Sequence, residues 1–253
     1  MTRPAHSVGL RSETAYACTT RRTLSTGETA HLNAAAIARM RMGAQRLWGA
    51  GFDAPEDAVS WLTAVQAQEH WYARWSVGQR TRRANAEIVD AAFDDGDILR
   101  THVLRPTWHY VAATDLRWLM QLSGPQVTAA NARRHGELGL DATVLNRTND
   151  LIAEAVAHGH LTRRELGQML ERHRIPVDGQ RLAYIVMHAE LTAVVCSGAM
   201  RGKQHAYAPF DERVPPNSGP QVTMPWPISH GGSSAPAVLQ RCATSHGGRV
   251  CRW

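Results

Sequence analysis

Apolar residues recur at helical spacing in the stretch that leads into the tripeptide Gln66-Ala67-Gln68. The run begins at Asp53, and its apolar positions share one helical face: Val59, Leu62 and Val65. Asp53 is placed to cap this helix, Pro55 fits its first turn, and Glu56 is placed to complete a capping box. The pattern therefore predicts a helix that ends at, or just before, the two glutamines.

Similar patterns predict further helices on both sides of this run. Asn33 caps a first helix, whose apolar residues share one face: Ile37, Met40, Ala44 and Leu47. A third, short helix is predicted from Trp71 to Gly78 and a fourth from Ala86 to Phe93.

Polar and apolar residues alternate in the next two segments, 98–104 and 107–112, with Arg105-Pro106 between them. This alternation predicts a β-hairpin. One face of the hairpin carries Arg100, His102, Trp108 and Tyr110, and the other carries Thr101, Val103, Thr107, His109 and Val111. Thr114 is then predicted to cap a helix that packs Leu116 and Leu119 inward.

A second unit repeats this organisation further along the chain. An amphipathic helix runs from Asp141 to His158, and Thr162 with Glu165 forms the capping-box pattern of the next helix. Its predicted buried face is Leu166, Met169 and Leu170. Another helix spans 181–191, and a hairpin joins 194–196 to 205–208 through a glycine-containing loop.

The order of three helices and a hairpin is that of a winged helix, and it occurs twice. The predicted fold is therefore mainly α with small β-hairpins (α+β), built from tandem winged-helix domains. The expected boundaries are a disordered extension at 1–29, a first domain at 30–135, a second at 136–216 and an irregular tail at 217–253.

Composition adds little to this picture. The 253 residues are 43% hydrophobic and 20% charged, as in soluble globular proteins, and no apolar run is long enough for a membrane span or a secretion signal. The net charge of +6 lies mostly in the ends, since residues 1–29 carry +2 and residues 217–253 carry +3. The four cysteines have no paired spacing, so we expect no metal and no cofactor. A cytoplasmic monomer is the expectation.

Gln66 and Gln68 are the candidate catalytic residues. In an extended segment, residues two apart project to the same side, and two amides offer donors and acceptors that can orient a water molecule. Neither amide is a strong base, so the pair suits a reaction whose leaving group is already activated. The alternative is that two glutamines simply close a surface helix.

Several segments together resemble the winged-helix DNA glycosylases of the AlkZ type, a family of crosslink-repair enzymes. They are 65–69, Trp75 to Gly78, and 99–111 followed by Thr114-Asp115, within a resemblance that covers 32–216. The resemblance implies tandem winged helices and excision of N-alkylated purines. It also implies that Gln66 and Gln68 correspond to the family's Gln-apolar-Gln motif, which positions the attacking water.

The segment 239–247 resembles the opening of a third winged helix of that family, which here stops at Trp253. The resemblance implies a further C-terminal β-domain, so the sequence is interpreted as a C-terminally truncated member. The alternative is a naturally short paralogue.

The candidate DNA contacts are basic or imidazole side chains that could meet phosphates: Arg74, Arg80, Arg82, Arg83, Arg100, His102, Arg105, His109, Arg201 and Lys203. For the arginines at 80–83 and for the hairpin tip with Arg201 and Lys203, the alternative is an ordinary solvated loop. Trp71, Tyr72 and Trp75 could stack on a base, but the helical spacing of Trp71 and Trp75 favours core or half-buried packing for these two.

Two functions remain open. One is a monofunctional glycosylase that acts on double-stranded DNA. The other is a winged-helix DNA-binding protein without chemistry, either regulatory or vestigial. Neither involves a membrane, and a DNA-bound protein of either kind would be associated with the nucleoid.

Overall fold

The computed structural model describes residues 33–83 and 85–216. The predictions for 1–29 and for the tail at 217–253 lie outside these ranges. The helices of the described ranges are α1 (Ala34–Ala44), α2 (Pro55–Leu62), α3 (His70–Gly78), α4 (Ala86–Asp95), α5 (Ala113–Glu137), α6 (Ala142–Val156), α7 (Arg163–Arg172), α8 (Arg181–Leu191) and α9 (Phe210–Arg213). The strands are β1 (Val65–Gln66), β2 (Ile98–His102), β3 (Trp108–Ala112), β4 (Leu161–Thr162), β5 (Val195–Ser197) and β6 (Ala206–Pro209). The mixed α+β class is as predicted.

The strands form two small antiparallel sheets of the same design. The first has the order β1-β3-β2, and the second has the order β4-β6-β5. In each, a two-residue strand lies between the first two helices of its unit and pairs with the last strand of the hairpin. The sequence helix–strand–helix–helix–strand–strand therefore occurs twice, as α2 to β3 and as α6 to β6.

The register of the first hairpin confirms the predicted faces. Arg100 lies opposite Tyr110, Thr101 opposite His109, and His102 opposite Trp108. Directly opposed residues share a face of the sheet, so Arg100, His102, Trp108 and Tyr110 do lie together.

Three apolar clusters hold the fold together. One fills the first unit between α2, α3, α4 and its sheet, and one fills the second unit around α6, α7 and α8. The third joins the units, because Leu116 and Leu119 of α5 pack with Met187 and Leu191 of α8. A Cβ atom on Gly124 would lie 2.8 Å from the carbonyl oxygen of Leu191, so the close approach of α5 to α8 requires glycine there.

Several predicted helix starts are confirmed. Asn33 and Asp141 accept hydrogen bonds from the backbone N–H groups of Ala36 and Val144. Thr162 and Glu165 form the complete capping box, and the predicted face of α7 is buried.

Two predicted caps are wrong. Helix α2 begins at Pro55 with Ala54 as its N-cap, so Asp53 lies one residue too early and instead faces Arg82 at 3.3 Å, without a capping box at Glu56. Helix α5 follows directly on β3, so Ala112 is its N-cap and Thr114 lies inside its first turn.

Helix α1 begins where the pattern predicts it but ends at Ala44, before Leu47, and none of its residues is buried. Ile37, Met40 and Leu47 remain exposed. Among the described helices, none combines the length and apolar character that a membrane crossing needs.

Candidate functional site

Gln66 and Gln68 flank a buried residue at the edge of the first sheet. Helix α2 ends at Leu62, and the chain then extends into β1, where Gln66 pairs with His109. Ala67 is fully buried, whereas both glutamines are exposed. This alternation of burial is the one expected of an extended segment, in which residues two apart project to the same side, although β1 itself ends at Gln66. Among the described residues, neither amide has a hydrogen-bond partner.

The backbone of this segment is fixed by Arg100 from the neighbouring strand. Its Nε donates to the carbonyl oxygen of Ala67 at 2.9 Å, and its Nη2 donates to that of Gln68 at 3.0 Å. The N–H of Ala67 donates to the carbonyl oxygen of Trp108 at 2.8 Å. The exposed glutamines therefore stand on a backbone that is held at three points.

The guanidinium of Arg100 is itself buried, and it lies 4.1 Å from the centre of the Trp108 ring. Burial lowers its pKa, and the neighbouring Tyr207 and Tyr110 oppose that shift. Burying a charge of this kind costs free energy unless it is hydrogen-bonded, and the carbonyl oxygens of Ala67 and Gln68 satisfy two of its donors.

The amide of Gln66 and the side chain of Arg100 lie on opposite faces of the sheet. Gln66 lies opposite His109, so the two side chains share one face of the sheet. Arg100 and Trp108 lie on the other face, so the Gln66 side chain leaves the sheet on the face opposite to Arg100. Arg100 thus acts on the glutamines through their backbone.

Neutral imidazoles surround the segment. Burial, aided by the charge of Arg100, lowers the pKa of His70 to about 4, and burial lowers that of His109 to about 4. The hydroxyl of Tyr110, whose pKa burial raises, lies 2.5 Å from Nδ1 of His70, within hydrogen-bond distance. The rings of His70 and His205 meet edge to face at 4.9 Å, and burial lowers the pKa of His205 to about 3.

A buried hydrogen-bonded pair connects the two units. Nδ1 of His102 on β2 lies 2.5 Å from Oε2 of Glu190 on α8, and both side chains are almost completely buried. The backbone N–H of Arg100 also donates to Oγ of Ser197 on β5, at 2.8 Å. The strand that holds the glutamine segment is therefore attached to the second unit.

The ten predicted DNA contacts divide into two groups. Four are buried on protein partners: Arg80, Arg100, His102 and His109. Arg80 donates to the carbonyl oxygens of Gln45 and Ser76. His109 lies 2.9 Å from the carbonyl oxygen of Thr107.

The other six reach solvent: Arg74, Arg82, Arg83, Arg105, Arg201 and Lys203. Arg74 pairs with Asp90 at 2.7 Å, and Arg201 pairs with Glu165 at 2.6 Å. Arg105 lies at the turn of the first hairpin and Lys203 at the tip of the second. DNA contact by any of the ten remains a prediction.

Trp71 and Trp75, which were expected to be buried or half-buried in the core, are exposed, and so is Tyr72. Trp71, Tyr72 and Trp75 are 53%, 76% and 66% exposed. The core side of α3 is formed instead by the small residues Ala73 and Val77, which let the helix lie close to its neighbours.

Asp115 and Glu69 are two acidic side chains of the first unit with different surroundings. Asp115 accepts hydrogen bonds from Ser60 and Trp118, at 2.8 and 3.2 Å. Glu69 is exposed and is the N-cap of α3 without a side-chain capping bond. Within residues 33–83 and 85–216, no group of three potential ligands could hold a metal ion.

A cavity of about 460 Å³ between the two units was not predicted from the sequence. Arg100 and Trp108 line it from the first unit; Arg163, Arg164, His205 and Tyr207 line it from the second. One feature of the sequence could have indicated this cavity. Arg163 and Arg164 open α7, where the helix dipole disfavours cations, so their presence there needs a reason.

The same fold occurs in a solved structure, the Streptomyces sahachiroi DNA glycosylase AlkZ. The two share 22% sequence identity and superpose with a TM-score of 0.56 over 71% of this chain. The chain spans about half of the length of that protein, since 50% of it is covered. A search of curated proteins gave no match. The family described as DNA glycosylase AlkZ-like matches residues 59–248, which is most of the sequence and includes Gln66 and Gln68. The chain therefore belongs to the AlkZ-like DNA glycosylase family.

Proposed function

We propose that the protein hydrolyses the N-glycosidic bond of N-alkylated purines in double-stranded DNA, with Gln66 and Gln68 orienting the attacking water. The observation that carries this proposal is the geometry of the glutamine segment. Two exposed amides flank the buried Ala67, and Arg100 fixes the backbone beneath them. Such preorganisation is what orienting a nucleophile requires.

The chemistry fits neutral amides. Alkylation at N7 gives the purine a positive charge, so the base leaves as a neutral molecule when the bond from C1′ to N9 breaks. The water oxygen forms the new bond to C1′ and loses its proton to solvent. Because the leaving group needs no protonation, an amide that places the water can suffice without a strong acid.

The double occurrence of helix–strand–helix–helix–strand–strand supports the assignment of both units as winged helices, at 30–135 and 136–216. Exposed cations at the hairpins and after α3 would then meet phosphates: Arg82, Arg83, Arg105 and Lys203. The proposed working form is a monomer that binds DNA in the cytoplasm, at the nucleoid.

Excision can be measured directly. The chain is incubated with a duplex that carries N7-methylguanine, and the product is heated in alkali to convert abasic sites into strand breaks. The proposal expects breaks at the alkylated position only, and none in an unmodified duplex. If the strands stay intact at protein concentrations that saturate the duplex, the glycosylase proposal is wrong. The protein would then be a DNA-binding protein without catalytic activity.

The second function, DNA binding without catalysis, is supported by the repeated helix–strand–helix–helix–strand–strand order. Such units could bind DNA without any reaction at the glutamines. Both functions predict binding that weakens steeply with salt, because phosphate contacts release counterions. Only the excision assay separates the two.

A further inference from the structure

The cavity between the two units has the chemistry of a nucleotide site, and this inference rests on the proposed DNA-binding function. Its volume of about 460 Å³ is in the range of small-molecule pockets. One wall carries the Trp108 ring, and the opposite unit supplies the cations Arg163 and Arg164. Flat apolar surface beside positive charge is what a base joined to a phosphate needs.

The positive charge is concentrated where the fold does not favour it. Arg163 and Arg164 are the first two residues of α7, a helix of ten residues whose N-terminus already carries positive dipole charge. One oxygen of the nearby Glu165, Oε2, is occupied, since it accepts hydrogen bonds from the backbone and hydroxyl of Thr162 and from Arg201. An anion between the two arginines would relieve the repulsion.

A hydroxyl without a protein partner belongs to a residue that lines the same space. Tyr207 is only 6% exposed and lines the cavity, and among the described residues no group hydrogen-bonds to its hydroxyl. It lies close enough to Arg163 and Arg100 for their charges to act on it. The hydroxyl itself is not fully shielded from solvent, so it is available to donate a hydrogen bond to a ligand oxygen in the cavity.

The cavity is not the place where Gln66 acts. Trp108 and Arg100 lie on one face of the first sheet, and the Gln66 side chain leaves from the other. Arg100 nevertheless links the two places, because the guanidinium that lines the cavity also holds the carbonyl oxygens of Ala67 and Gln68.

We propose that this cavity binds one nucleotide of the DNA other than the one that is excised. Its phosphate lies between Arg163, Arg164 and the hydroxyl of Tyr207, and its base lies against Trp108. An occupied cavity would anchor the strand beside the glutamine segment and hold the two units in one orientation.

The test uses the whole chain with ¹⁵N-labelled tryptophan. The indole N–H resonance of Trp108 is identified by its loss in Trp108→Phe, and deoxyadenosine monophosphate is titrated in. We expect a saturable shift of this resonance. Deoxyadenosine without phosphate should shift it far less, and inorganic phosphate should compete with the nucleotide.

The double variant R163A/R164A should weaken nucleotide binding by at least about tenfold, because it removes two charge-assisted contacts. It should melt no lower than the wild type, since it takes cations away from a helix N-terminus. The matched control R147A/R172A removes two exposed arginines from α6 and α7 and should bind as the wild type does.

Three results would overturn the site: no saturable shift, equal shifts with deoxyadenosine, or unchanged affinity in R163A/R164A. These outcomes do not depend on base excision. A chain that binds the nucleotide here but leaves alkylated DNA intact would refute only the glycosylase proposal. A chain that excises bases without this binding would refute only the site.

Discussion

Arg100 and Ala67 are joined by a hydrogen bond of 2.9 Å, from the buried guanidinium to a backbone carbonyl oxygen in the middle of the glutamine segment. The same side chain also holds the carbonyl oxygen of Gln68. An arginine thus fixes the place of two glutamines without touching their amides. Gln66 and Gln68 would orient the water, whereas Arg100 holds the backbone that carries the two glutamines.

Replacing Arg100 by lysine should therefore damage both stability and the site. A single ammonium cannot reproduce the two directed bonds, so we expect a loss of about 2–3 kcal/mol in the free energy of unfolding. The excision rate should fall about tenfold or more, while duplex binding changes less, because the positioning of the amides is lost. Urea unfolding and single-turnover kinetics measure the two effects. Arg133→Lys, on the exposed side of α5, is the control and should leave both unchanged.

Truncating Glu190 to alanine should destabilise the protein by about 3–5 kcal/mol, because His102 would lose its buried partner. Glu171→Ala, which alters an exposed glutamate on α7, should stay within about 0.5 kcal/mol of the wild type. Equal unfolding midpoints for the two variants would show that the buried pair contributes little to the contact between the units.

Stability should fall as the pH drops from about 6.5 to about 4. Burial lowers the pKa of His109 to about 4, so between these values the unfolded chain binds a proton that the folded protein excludes. At about pH 5 this residue alone should cost about 2 kcal/mol relative to about pH 7.5. His109→Asn, which can still donate to Thr107, should flatten this dependence in urea unfolding. An unchanged pH profile in the variant would assign the effect to other groups.

Arg80 and Arg82 should respond differently to alanine although they are neighbours in sequence. Arg80 is buried and donates to Gln45 and Ser76, so its removal should cost about 2–4 kcal/mol. Arg82 is largely exposed, so its removal should change stability by less than about 1 kcal/mol and should weaken DNA binding with a shallower salt dependence. Thermal melts and salt titrations separate the two effects.

The sequence predicted those features that depend on local pattern. The caps at Asn33, Asp141 and Thr162 were predictable because a side chain and a nearby N–H suffice to form them. The faces of the first hairpin were predictable because alternation along two strands fixes which residues are neighbours. The glutamine motif was found from its resemblance to a family.

The sequence did not predict features that depend on packing between distant segments. Two residues are too few to show the period of a strand, so β1 was not foreseen. Nothing in the sequence around Arg100 indicates that its guanidinium donates to the backbone carbonyl oxygen of Gln68. The exposure of Trp71 and Trp75 contradicts their residue type, and only the position of α3 against its neighbours determines it.

Single-turnover excision by Q66A, Q68A and the double variant tests the central claim most directly. All are exposed substitutions, so their unfolding free energies should stay within about 0.5 kcal/mol of the wild type. Gln121→Ala, an exposed glutamine on α5, is the matched control. The account predicts that both single variants lose at least about 100-fold in rate on N7-methylguanine duplex, while duplex affinity and the Gln121 control remain unchanged. Excision at the wild-type rate by the double variant would contradict it.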